Sequence, residues 1–137
     1  MSVNKKSLKP YSALGKAGAA PPLTGLWQNE LDSIMNITSM SGANFSGTYT
    51  SSVSGGGGPV TGSLSGTISG DAIGFTVNWS PAANSVTSWN GLLLSDAGNP
   101  VIYTLWHLAT TPEQNSDFWE SILAGADLFV PYTPMKK

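Results

Sequence analysis

The feature that most limits what this chain can fold into is the spacing of its turn signals. From Leu23 onward, breaks fall at Asp32, Ser41-Gly42, Gly55 to Pro59, Gly70-Asp71, Pro81, Asp96 to Pro100 and the stretch from Pro112 to Asp117. Between them lie segments with strand character, roughly at 24–30, 33–40, 44–53, 60–70, 73–80, 85–94, 101–111 and 121–130. No gap leaves room for a helix longer than about one turn, near 113–119. Eight consecutive strands joined by short links predict an all-β fold, an eight-stranded antiparallel up-and-down β-barrel. A two-sheet sandwich is the rival. An eight-stranded barrel has an interior just wide enough for one small ligand. The expected organisation is a flexible N-terminal extension over 1–22, the barrel over 23–131 and a tail over 132–137.

Alternation assigns the faces, because successive strand side chains point to opposite sides. In 73–80, Ile73, Phe75, Val77 and Trp79 share one face and mark the interior. In 101–111, the face of Thr104, Trp106, Leu108 and Thr110 opposes that of Tyr103, Leu105, His107 and Ala109. In 121–130, Leu123, Gly125, Asp127 and Phe129 alternate with Ile122, Ala124, Ala126 and Leu128. These last two strands are apolar on both faces, and such strands need cover on both sides. The lumen covers one side. A second subunit is the simplest cover for the other, with Leu105, Ala124 and Ala126 as its contact set. The stretch "NSVTSWNG", Asn84 to Gly91, poses a different problem: one face carries Ser85, Thr87 and Trp89, which is no ordinary core face.

Composition narrows the function classes. Charged residues are only 10% of the chain and the formal net charge is -2. That charge fraction lies far below the roughly 25% of typical soluble domains. No basic stripe is present, so neither nucleic acid nor an anionic membrane is an expected partner. The chain has no cysteine, which excludes disulfides and thiolate metal sites. No run approaches the ~18 apolar residues of a membrane-spanning helix. The N-terminus lacks the apolar centre of an intact signal peptide. His107 is the only histidine. Parity puts it outside the barrel, where a subunit contact suits it better than catalysis. A hydrolase built on serine, His107 and Asp127 would need a nucleophile elbow, and none is present.

Asp127 is the sharpest single clue. A carboxylate on an inward strand face is rarely buried without a partner. Trp27 suits core filling. The other tryptophans gain meaning together with the motifs around them.

"LTGLWQNELDS" (Leu23 to Ser33), "FSGTYTSSV" (Phe45 to Val53), "GFTVNW" (Gly74 to Trp79), "NSVTSWNG", "YTLWHL" (Tyr103 to Leu108) and "FWESILAGADLF" (Phe118 to Phe129) occur in this order. Together they closely resemble the avidin/streptavidin family of biotin-binding proteins, from Leu23 to about Pro131. The resemblance implies an eight-stranded barrel with biotin at one end and no catalytic step or cofactor. It implies that Asn29, Ser33 and Tyr49 donate to the ureido oxygen, and that Ser51 and Asp127 accept from the two ureido N–H groups. Thr87 would face the thioether sulfur, and Ser85 the valerate carboxylate. Trp79, Trp89 and Trp106 would box the bicycle, with Leu108 and Leu123 completing the lining. Trp119 matches the tryptophan that each subunit lends to a neighbour. The resemblance also implies a homotetramer, a dimer of dimers, and a secreted or periplasmic location.

The chain departs from the family at the loop "SGGGGPV", Ser54 to Val60, where some members place an asparagine near Gly55 for the carboxylate. Other members use a hydroxyl and backbone N–H groups. Here Val53, Ser54 and Gly55 stand in that place, with Gly56 offering a further N–H. Four glycines make such a loop entropically costly to order. A lipocalin-like barrel carrying another small ligand is the alternative. Its weakness is that an apolar carrier has no need for Asn29, Ser33, Tyr49, Ser51 and Asp127 together.

Overall fold

The computed structural model describes residues 14–16, 22–52, 59–112 and 122–134. Nine strands are present among them: β1 (Gly15–Lys16), β2 (Gly25–Gln28), β3 (Ile34–Ser41), β4 (Asn44–Ser51), β5 (Val60–Ser69), β6 (Ala72–Asn78), β7 (Ser85–Asp96), β8 (Asn99–Thr110) and β9 (Ile122–Pro131). Each of β2 to β8 pairs antiparallel with the next strand in sequence, and β9 returns to β2 through Trp27↔Pro131 and Gln28↔Val130. The result is the closed eight-stranded antiparallel barrel that the turn spacing predicts. Among the described residues, closure gives every strand from β2 to β9 a hydrogen-bonded neighbour on each side.

The alternating sequence decides what faces inward. On β6, Ile73, Phe75 and Val77 are buried and Asn78 is exposed. On the outer surface, threonine and serine pair across strands, as in Thr50 with Thr61 at 3.0 Å and Thr76 with Ser88 at 3.3 Å. Trp27 is a core residue, and its indole N–H donates to the Leu23 carbonyl at 2.9 Å. His107 lies exposed on the outer face, opposite Ser88 and Ala124.

Two strands extend two residues beyond the sequence expectation, both toward Pro100. The break expected at Asp96 to Pro100 is a two-residue turn, and β8 already starts at Asn99. Ala97 and Gly98 both have positive φ, 51° and 90°. That hand of turn matches the right-handed twist of a hairpin, so the strands run on to Asp96↔Asn99. β7 therefore outruns β6, whose pairing with it ends at Ala72↔Leu92. Part of the region expected as an extension fills the gap: Gly15 and Lys16 pair with Ser95 and Leu94. A short strand ending in lysine is a usual way to cover a sheet edge.

The outer set expected for a subunit contact divides. Leu105 is 55% exposed, but Ala124 and Ala126 are already buried in the single chain, at 7% and 1%. They are the smallest outer side chains of β9 and stand opposite His107 and Leu105 of β8.

Candidate functional site

The lumen is unevenly filled. Met35, Ile37, Ile73, Leu93, Ile102 and Phe129 are all at most 1% exposed and close one end. Toward the other end lies a cavity of about 290 Å³ lined by Asn29, Leu31, Ser33, Tyr49, Ser51, Trp79, Thr87, Trp89, Trp106, Leu108, Leu123 and Asp127. Eleven of these twelve are residues that the sequence marks for the site; Leu31 is the addition.

The segment between β2 and β3 sets the first group of donors. The Asn29 side-chain oxygen accepts from the backbone N–H groups of Leu31, at 3.0 Å, and Ser33, at 2.9 Å. Two backbone donors on one oxygen fix the orientation of the amide. Its NH₂ group is left to act as donor, and it donates to the Tyr49 hydroxyl at 3.1 Å. A side-chain hydrogen bond also links Tyr49 to Ser33. Asn29 and Ser33 are buried with Tyr49, so three polar side chains from two parts of the chain meet inside the barrel. Burial first, then the charge of Asp127, push the Tyr49 phenol up from its ordinary range. The hydroxyl consequently keeps its proton and remains a donor at neutral pH.

Asp127 enters from β9 with 4% of its surface exposed. Its Oδ2 accepts from the Trp89 indole N–H at 2.8 Å. Its backbone carbonyl accepts from the Thr104 hydroxyl at 3.1 Å. The Glu30 side chain approaches the same carboxylate, while Glu30 Oε1 accepts from the Leu128 backbone N–H at 2.8 Å. Burial, then the hydrogen bond to Asp127 and its charge, raise the Glu30 carboxyl to about 8.

The aromatic wall is built by stacking. Trp89 lies over Phe75 with ring centres 5.0 Å apart and 15° between planes, and over Tyr49 at 4.8 Å. Trp79 meets Tyr49 edge-on at 5.7 Å, and its indole N–H donates to the Thr87 hydroxyl at 2.9 Å. Two glycines make room for these rings. A Cβ at Gly62 would stand 2.6 Å from Val77 Cγ1 and 3.0 Å from Trp79 Cε3. One at Gly125 would stand 2.6 Å from Cε2 of Trp106, its cross-strand partner. The indole of Trp106 can lie against β9 only because position 125 has no side chain.

The remaining marked residues fall elsewhere. Ser85 is half-buried and lines a separate recess of about 440 Å³ with Asn78, Ser80, Asn84 and Thr110. Val53, Ser54, Gly55 and Trp119 lie outside the described residues. Glu30, Leu31, Gly62 and Gly125 contribute without having been marked for the site by sequence. Glu30 and Leu31 sit in a turn, where no alternation tells which way a side chain points. Gly125 has inward parity, but its role is visible only once Trp106 is seen opposite it.

A model of the avidin family matches residues 18–132. Afifavidin of Afifella pfennigii is 33% identical over 118 residues, covering 83% of this chain and 72% of that protein. Avidin of Gallus gallus is 32% identical over 124 residues, covering 84% and 81%. The crystal structure of Xenavidin superposes with a TM-score of 0.71 at 33% identity, over 80% of this chain and 97% of that one. This chain belongs to the avidin family.

Proposed function

We propose that this chain binds biotin in the 290 Å³ cavity, as a binding protein with no catalytic step. The observation that carries the proposal is the polar set. Asn29, Ser33 and Tyr49 gather at one side of the cavity, and the Asp127 carboxylate lines it as well, within a wall of three tryptophans. A urea has complementary chemistry: one strongly accepting oxygen and two N–H donors. Three preset donors favour charge on the ureido oxygen without rearrangement. An ionised Asp127 then accepts from the N–H that this polarisation makes more acidic. Ser51 suits the second N–H. Thr87, already accepting from Trp79, has its hydroxyl proton available for the thioether sulfur. Indole rings supply large, stiff apolar area with little entropy to lose. Each polar bond counts for more inside such a wall than in water.

Trp119 is proposed as the residue lent between subunits of a homotetramer, on the strength of the motif "FWESILAGADLF". Isothermal titration with biotin, run with a size determination, tests the function. One tight site per chain is expected. No heat and no thermal shift on adding biotin would end the reading.

A further inference from the structure

We propose that Glu30 is a positioning residue for the binding site: it donates a carboxylic-acid proton to Asp127 and so holds that carboxylate as an acceptor facing the cavity. The proposal rests on the biotin reading for its effect on affinity, but the shared proton itself does not.

The geometry begins with an accounting of acceptors. Glu30 Oε1 accepts from the Leu128 N–H. Oε2 is buried and has no donor. The side chain placed to hydrogen-bond with Glu30 is that of Asp127. Two ionised carboxylates cannot make that bond, because each can only accept. An unpaired buried acceptor beside a second carboxylate is costly twice over, through desolvation and through repulsion. One proton removes both costs. Placed on Glu30, it turns the orphaned oxygen into a donor and leaves Asp127 ionised.

Among the described residues, Asp127 from β9 is the ionisable group that acts on Glu30, Tyr49 from β4 feels the Glu30 charge in turn, and neither supplies positive charge. Burial and the Asp127 charge accordingly raise the Glu30 carboxyl to about 8, so it is largely protonated at neutral pH. Asp127 is then held from two sides, by the Trp89 indole N–H at 2.8 Å and by the Glu30 O–H. A carboxylate offers roughly four lone-pair directions, so acceptor capacity remains for a ligand N–H. When Glu30 ionises, its donor becomes a second negative charge, and Asp127 is repelled from the position that faces the ligand.

Two pH dependences follow, of different origin. Biotin affinity should be flat below about pH 8 and fall above it, approaching tenfold per pH unit if only the protonated pair binds. Stability without ligand moves over another window. The unfolded chain releases the Glu30 proton near 4.5, whereas the folded chain keeps it to about 8. Between those values the folded state holds the extra proton, so stability falls as pH rises through that interval and levels off above it.

The test compares wild type with Glu30→Gln and Glu30→Leu. Glutamine can accept from Leu128 and donate to Asp127 without titrating; leucine can do neither. Biotin affinity is measured by competition from about pH 6 to about pH 10, and the infrared carboxylic-acid band of the ligand-free protein is followed over the same range. Glu30→Gln should bind as wild type does at neutral pH and lose the alkaline fall, while Glu30→Leu should bind weakly throughout. Wild type and Glu30→Gln falling in parallel, a flat wild-type profile, or full affinity in Glu30→Leu would each overturn the proposal. Should Glu30→Leu not fold, Glu30→Gln alone decides. If wild type fails to bind biotin, the functional reading fails. The infrared band then judges the pair: a carboxylic acid that titrates near pH 8 and vanishes in Glu30→Gln supports the shared proton, and no such band refutes it.

Discussion

Asp127 and Phe129 stand two residues apart on the inward face of β9, and both are buried, at 4% and 0% exposure. They belong to two differently built ends of one barrel. Phe129 meets Phe75 at 5.8 Å and Tyr49 at 6.1 Å between ring centres, and needs only neighbours of matching shape. Asp127 needs donors: it has the Trp89 indole, and the Glu30 carboxyl is the second that we propose. The same contrast runs along β7, from Thr87 and Trp89 at the cavity to Leu93 in the packed end. Shape holds the floor of the barrel, while hydrogen-bond partners hold its mouth. Stability and binding should therefore divide along the strands rather than between them.

The largest effect expected from separating the two ends lies at the floor. Phe129→Ala should cost about 3–5 kcal/mol of stability, the usual range for deleting a buried phenylalanine from a packed core. A calorimetric scan reads it directly as a lowered Tm. A cost below about 1 kcal/mol would mean that the floor collapses easily and is not tightly packed.

Asp127→Ala should act in the opposite sense, with the larger loss in binding. A hydrogen bond to a charged group contributes about 1.5–3 kcal/mol, or roughly 10- to 150-fold in affinity. Some stability also goes, because the Trp89 N–H loses its acceptor. Biotin competition beside a thermal scan measures both. If the variant lost stability as Phe129→Ala does and kept its affinity, the mouth would be core and the comparison would collapse.

The floor and most of the wall were legible in the sequence for one physical reason. A half-buried strand must alternate, so parity placed Ile73, Phe75, Val77 and Trp79 inside and grouped Thr87 with Trp89, Thr104 with Trp106, and Asp127 with Phe129, on shared faces. The family motifs then separated ligand-facing residues from filler. What escaped was whatever parity cannot encode. Glu30 lies in a turn, and its meaning depends on Leu128 and Asp127, far along the chain. The Ala97-Gly98 turn was hidden because Asp96 to Pro100 reads as a loop, although two residues with positive φ suffice to reverse the chain. Gly125 looked like any inward small residue until its register with Trp106 gave it a steric role.

Ser85 offers the smallest and finest test of the division. Its parity is inward, yet it stands at the outer start of β7 and lines the 440 Å³ recess rather than the cavity. Its structural contribution comes from the backbone, whose carbonyl accepts from the Trp79 N–H at 3.0 Å. Alanine keeps that bond, so Ser85→Ala should leave the thermal midpoint almost unchanged. Any loss of biotin affinity should stay within the about 0.5–1.5 kcal/mol of one ordinary hydrogen bond, and below that of Asp127→Ala. A half-buried hydroxyl returns to water when its ligand leaves, whereas the Asp127 carboxylate and its donors have no such alternative. Equal losses in the two variants would show that the rim of the mouth is as dry as its centre, and that the polar end of the barrel reaches further out along β7 than the cavity lining marks.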